Sequence, residues 1–205
     1  MGKTFLKSIC AGILIAIGGS VFLSCENRTV GAVLFSVALL CICYKGYVLF
    51  TGKIGYVVYD HKANDILALA VGLIGNLATT LLLGLLIRYA VPSIGAAAET
   101  VCAAKLTQAI PQTFIRSCFC GILMYLAVSI YKEKTTVWGI IFCIPVFILS
   151  GFEHSIADMF YFGACGTIDL QTVIFQLVVI AGNTLGGVLL PLLNLPFSEK
   201  NAKGN

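Results

Sequence analysis

Six long apolar runs alternate with short polar stretches along the chain, at about 5–24, 30–50, 66–90, 108–131, 136–163 and 172–196. Each is close to the roughly 20 residues that an α-helix needs to cross a bilayer, so the pattern predicts six membrane-spanning helices and a single domain, 1–205, made of one half over about 5–90, a second over about 108–196, and a polar, frayed tail over 197–205. The punctuation is Glu26-Asn27-Arg28, Asp60-His61-Lys62, the Pro92-to-Thr100 stretch, Lys132-Glu133-Lys134 and Cys165-Gly166-Thr167. Lys3 and Lys7 precede the first run as they would in a signal peptide. No small-x-small cleavage pattern follows, and five more apolar runs do, so the run reads as a retained span.

Composition sharpens this reading. Of 205 residues, 59% are hydrophobic and 11% charged, against roughly 25% charged in soluble domains; a soluble enzyme, a disordered chain and a nucleic-acid-binding module are excluded. The net charge of +4 resides mostly in the connections and is a topology signal. With the N-terminus inside, eight cations (Lys3, Lys7, Lys53, Lys62, Lys132, Lys134, Lys200, Lys203) lie on the cytoplasmic side and three (Arg28, Arg88, Lys105) outside, which predicts a multi-pass protein of the cell membrane with both termini cytoplasmic. Nine cysteines, nearly all in apolar runs and without a C-x-x-C pair, read as small packing residues rather than as a metal or disulfide framework.

The halves share a pattern. Runs two and five are interrupted by glycine-containing polar patches, Gly46-Tyr-Val-Leu-Phe-Thr51-Gly52 and Gly151-Phe-Glu153-His154-Ser155-Ile-Ala-Asp158, and runs three and six carry Gly75-Asn76 and Gly182-Asn183. Thr51 to Asn76 is 25 residues and His154 to Asn183 is 29. Three helices per half require inverted topology, and interrupted segments at matching positions point to a pathway between the halves. Glu153, His154 and Asp158 are costly inside a bilayer unless they face protein or water; Glu153 is expected to satisfy free backbone donors at the break, leaving His154, whose proton exchanges near neutral pH, either to face a pore or to hydrogen-bond between helices. Thr51 would bond the histidine or cap a helix end. Asn76 and Asn183 would act as helix glue or line the pathway, and Lys105 would either snorkel to headgroups or stand as a cation in an outer vestibule. Lys45 and Arg116 lie inside spans and receive no role.

These residues in this order resemble the formate/nitrite transporter family. Gly151-Phe-Glu-His-Ser-Ile-Ala-Asp158-Met resembles that family's G-F-E-H-S-(I/V)-A-N-M, Gly46-Tyr-Val-Leu-Phe-Thr51 its G-A-x-L-F-T, and Asn76 and Asn183 its two G-N steps; Arg116-Ser-Cys-Phe-Cys-Gly121 is similar to R-G-I-L-C-N, in a register that places Lys105 on the vestibule lysine. The resemblance implies an all-α, aquaporin-like homopentamer of six-helix subunits with broken helices 2 and 5. Each subunit would hold a pore for small monovalent weak-acid anions such as formate, nitrite, hydrosulfide or lactate. It also implies an outer constriction of Phe35 and Phe147, an inner one of Leu39, Leu49 and Phe50, and His154 and Thr51 between them. A naked anion between apolar rings loses its hydration, so passage as the protonated acid is expected, with the proton from solvent or His154.

Two departures stand out. Gly121 replaces the family's asparagine, which should alter the polar lining, and Asp158 replaces the asparagine of A-N-M. The chain is also shorter than typical members, and no acid-triggered gate is expected. The competing reading is a pore for neutral solutes such as water, ammonia or urea, in which Lys105 would have no use. Only His61 and His154 are present, with no H-E-x-x-H and no G-x-S-x-G motif, so neither catalysis nor a metal or other cofactor is expected. The expected partners are the lipid bilayer, the small anion and further copies of the chain, without nucleic acid.

Overall fold

A computed structural model describes residues 1–59 and 61–202, with side chains through 195. Nine α-helices occupy the described residues: α1 (Gly2–Ser24), α2 (Arg28–Lys45), α3 (Phe50–Lys53), α4 (Ala63–Ala90), α5 (Pro92–Leu106), α6 (Ile110–Lys134), α7 (Trp138–Leu149), α8 (Ser155–Cys165) and α9 (Leu170–Ala202). A 3-10 turn, Ile54–Val58, follows α3. Five helices (α1, α2, α4, α6 and α9 up to Leu195) are long and apolar enough to cross a membrane, and α7 is a shorter apolar one.

Local chemistry sets the boundaries. Asn27 caps α2, its Oδ1 accepting from the amides of Thr29 at 2.9 Å and Val30 at 3.1 Å. The helix stops at Gly46, whose φ of 61° is left-handed, and Gly151 stands at φ 69° after α7. A side-chain-bearing residue rarely adopts that conformation. Each of these glycines is followed by extended chain, 47–49 and 152–154, before the next short helix begins.

The Pro92-to-Thr100 stretch, expected as a polar connection, is instead helical and belongs to α5. Proline in the first turn and the alanines that follow it suit a helix. Lys105 therefore sits in the last turn of α5, just ahead of the long apolar helix α6. The backbone of α9 runs on to Ala202, whereas the predicted polar tail has its side chains, including Lys200, and residues 203–205, including Lys203, outside the described residues, as is Asp60.

An apolar core is accompanied by an apolar exterior and by buried polar groups. Large apolar side chains such as Leu82, Leu86, Tyr89, Phe142, Leu177 and Leu193 are exposed, while Ser8, Thr51, Asn76, Ser117, Glu153, His154, Asp158 and Asn183 are buried. An apolar exterior suits lipid, and buried polar groups must then find partners within the protein. Neighbouring helices meet at glycine. A Cβ on Gly84 of α4 would lie 2.7 Å from the amide nitrogen of Ala164 on α8, and one on Gly163 of α8 would lie 3.2 Å from the Cα of Gly84. Without an apolar driving force between helices in lipid, such close backbone contact carries much of the packing.

Gly163→Val should therefore push α8 off α4, at a cost of about 1–3 kcal/mol or more, read as a lowered melting temperature in detergent. Gly2→Ala, where nothing lies within 4 Å, should leave the melting temperature where it is. Equal melting temperatures for both variants and the parent would refute the contact.

Candidate functional site

The two non-helical junctions, 46–49 and 150–154, leave main-chain donors and acceptors without helical partners in an apolar surrounding. Each is met by one asparagine. Asn76 on α4 accepts from the amide of Phe50 through Oδ1 at 2.9 Å and donates through Nδ2 to the carbonyls of Val48 and Ser8, both at 2.9 Å. Asn183 on α9 accepts from the amide of Ser155 at 2.9 Å and donates to the carbonyls of Glu153 at 2.8 Å and Ser117 at 2.9 Å. Both asparagines are fully buried. The preceding glycines let the helices approach, since a Cβ on Gly75 or Gly182 would run into Ser8 or Ser117 respectively.

His154 precedes α8 and caps it, its Nδ1 accepting from the amide of Ala157 at 3.1 Å. A backbone N–H can only donate, so the ring hydrogen belongs on Nε2, which lies 2.8 Å from Thr51 Oγ1. The imidazole lies against Phe147, with ring centroids 5.6 Å apart and planes at 25°. Of the two uses foreseen for Thr51, the bond to the histidine is the one realised.

His154 faces a cavity of about 190 Å³ bordered also by Phe147, Arg28, Lys105, Gln108, Arg116, Glu153, Asp158 and Tyr161. Lys105 Nζ bonds both Glu153 Oε2 and Asp158 Oδ1, the latter at 2.9 Å. Gln108 Nε2 donates to Glu153 Oε1 at 2.7 Å, and the ammonium lies 5.7 Å from the Tyr161 ring centre. Contrary to the expectation from sequence, the Glu153 carboxylate thus does not serve the backbone at the break. An acceptor-only group is drawn to the ammonium and the amide, and the break uses Asn183 instead. Lys105 is committed inside the protein and does not snorkel.

A second cavity, of about 130 Å³, is bordered by Leu39, Leu49, Gly52, Lys53, Val128 and Lys132, among others. Thr51, between Leu49 and Gly52, reaches His154 on the first cavity, so this hydrogen bond stands between the two. Phe35 and Phe50 are buried but border neither cavity; Phe35 packs against Gly18 on α1. Gly121 is also absent from the lining. A Cβ there would meet the backbone of α9, 2.8 Å from the amide nitrogen of Gly187. The glycine thus permits close packing of α6 on α9.

Arg116, without a role from sequence, borders the first cavity, and its Nη1 lies 3.8 Å from where a Gly151 Cβ would be. Lys7 stands likewise over Gly46, donating to its carbonyl at 3.0 Å. A cation thus sits at each left-handed glycine, a pairing visible in sequence only once Lys7 and Arg116 are aligned through Ser8 and Ser117. Lys45 is exposed in the last turn of α2, where a cation suits the helix dipole.

The apolar exterior and the membrane-length helices mark an integral membrane protein. The model of the formate/nitrite transporter family matches residues 1–195, and the chain belongs to that family. An uncharacterized transporter, YwcJ, of Bacillus subtilis is 29% identical, over 90% of this chain and 84% of its own. A probable formate transporter of Methanothermobacter thermautotrophicus is 27% identical, over 78% of this chain and 74% of its own. Among solved structures, an FNT family ion channel superposes with a TM-score of 0.82 at 24% identity, covering 96% of this chain and 90% of that one. A pentameric formate channel with formate bound gives 0.77 at 23%, covering 93% and 94%. The helical fold is that of these channels.

Asn183→Ala should leave buried main-chain groups of Glu153 and Ser155 unpaired and cost about 1–3 kcal/mol for each orphaned group. Thermal unfolding in detergent measures it; an unchanged midpoint would mean that water or another side chain serves the break.

Proposed function

We propose that this protein is a channel for small monovalent weak-acid anions, formate, nitrite or hydrosulfide, which pass together with a proton. In this reading the pathway runs from the cavity of Lys105 and Glu153 past His154, Thr51 and the Asn76 and Asn183 breaks, and leaves by the cavity of Leu39 and Leu49. Phe147, with Phe35, narrows one side, and Leu39, Leu49 and Phe50 the other. Two inverted three-helix halves with broken helices 2 and 5 surround it. The observation that carries the reading is the matched pair of breaks: Asn76 with Val48 and Phe50, Asn183 with Glu153 and Ser155. Such breaks at equivalent places in two halves accompany a pathway between them.

The cavity favours an anion. Arg28, Lys105 and Arg116 oppose Glu153 and Asp158, three cations against two carboxylates, a formal balance of +1. Attraction into the cavity raises the local anion concentration, while the apolar side chains beyond it demand neutrality. Protonation reconciles the two. The relative from Methanothermobacter, described as a probable formate transporter, and the pentameric formate channel support both the substrate class and a homopentamer in the cell membrane, with cytoplasmic termini by the cation count. A second reading, a neutral-solute pore, draws on the same ion cluster, since Lys105 is paired with two carboxylates and its charge is largely spent within the protein.

Stopped-flow light scattering on proteoliposomes separates the two. Formate, nitrite or hydrosulfide uptake with urea and glycerol excluded is the expected result, and Lys105→Met should lower it about tenfold or more. Rapid urea or glycerol uptake without anion preference would establish the neutral-solute pore instead.

A further inference from the structure

We propose that Asp158 is the proton-donating residue of the pathway, holding a transferable proton beside Lys105 and passing it to the entering anion. The inference rests on the weak-acid reading above and deepens it.

The geometry presents two carboxyl groups and one ammonium. Glu153 has both oxygens engaged, by Lys105 and by Gln108. Asp158 has Oδ1 on Lys105 at 2.9 Å, but its Oδ2 is buried without any hydrogen-bond partner among the described residues, and the residue is 1% exposed. A bare carboxylate oxygen shielded from water is costly, as are two anions sharing one site. A proton on Oδ2 removes the negative charge behind both penalties and leaves Oδ1 free to accept from Lys105.

His154 is poorly suited to the task. Its Nδ1 is occupied by the Ala157 amide, so a second ring proton would face an N–H and uncap α8; its Nε2–H faces Thr51. Among the charged groups around Asp158, Lys105 comes from α5, Glu153 from the break, Arg116 from α6 and Arg28 from α2. The neutral titratable groups are His154, Tyr161 on α8, Cys102 on α5 and Cys120 on α6. α4 contributes Arg88 at the far end of α8, on the carbonyls of Ala164 and Cys165; α1 gives the cavity only Phe22 and α9 gives it no residue.

In the step itself the Oδ2–H bond breaks and an O–H bond (for hydrosulfide, S–H) forms on the anion, whose lone pair takes the proton. No atom changes oxidation state. The Asp158 carboxylate that remains is held by Lys105 and by the first turn of α8, where the helix dipole favours an anion. It is recharged by a proton from the solution on the cavity side. With Asp158 protonated the cavity balance is +2, and after transfer +1, so the anion is drawn in most strongly when its proton is present. One proton then accompanies each anion.

Formate or nitrite uptake between about pH 5 and 8 tests this. Passage of acid already protonated in bulk falls roughly tenfold per pH unit throughout, whereas donation by Asp158 gives a plateau until Asp158 itself ionises. A plateau in the wild type, replaced in Asp158→Asn by the tenfold slope, is expected; the same slope in both overturns the proposal while leaving the channel reading intact. Absence of all anion uptake by the wild type would overturn the channel reading instead. Infrared difference spectroscopy of the wild type in lipid reads the proton without transport. A protonated-carboxyl band at neutral pH that vanishes in Asp158→Asn is expected. No such band in the wild type, or one persisting in the variant and hence on Glu153, overturns it.

Discussion

Everything polar in this fold depends on one constraint, that a main-chain amide or carbonyl surrounded by lipid-facing helices cannot be left bare. The chain leaves helix twice in its interior, and at both places a single asparagine supplies one acceptor and two donors. Asn76 and Asn183 each tie three backbone groups together. These bonds fix the extended segments 47–49 and 152–154, and through them the positions of Thr51 and His154. The meeting of those two side chains is thus a consequence of how the breaks are satisfied.

The buried charges follow the same logic. Lys105 does not stand as a free cation but is bridged by Glu153 and Asp158, with Gln108 completing Glu153. Pairing lets charges survive far from water, although the desolvation cost of such clusters means that they are poor evidence for stability. Their value lies in position, because the cluster, Arg116 and His154 border one cavity. Where this chain carries Asp158 in place of the asparagine in the family motif, the number of carboxyl groups on the lysine becomes two, and the site acquires a place for a proton.

Close packing around these groups rests on small residues. Gly75 and Gly182 bring the asparagine helices onto Ser8 and Ser117, Gly121 brings α6 onto α9, and Gly84 and Gly163 join α4 to α8. Contacts of α4 with α8 and of α9 with the 3-10 turn after α3 join segments far apart in the chain. The short helices after the breaks, α3 and α8, thus pack against helices distant in the chain, while each break itself is closed nearer by, Asn76 tying Ser8, Val48 and Phe50 and Asn183 tying Ser117, Glu153 and Ser155.

The amino-acid sequence by itself determined the membrane class, the apolar runs, the two interruptions and the matched Gly-Asn steps, because hydrophobic periodicity and helix-breaking glycine are local properties. It also singled out Thr51, His154, Lys105, Asn76 and Asn183. The helix of Pro92–Leu106 escaped the hydropathy pattern, since its alanines and polar residues mark neither a span nor a loop. Only the tertiary structure decided what the buried polar atoms touch. It turned Glu153 from the backbone to Lys105, set Arg116 over Gly151, and placed Gly121 against α9. Partners about 50 to 100 residues apart, such as Lys105 and Glu153 or Thr51 and His154, are chosen by which helices pack together, and no local pattern in the chain encodes that choice.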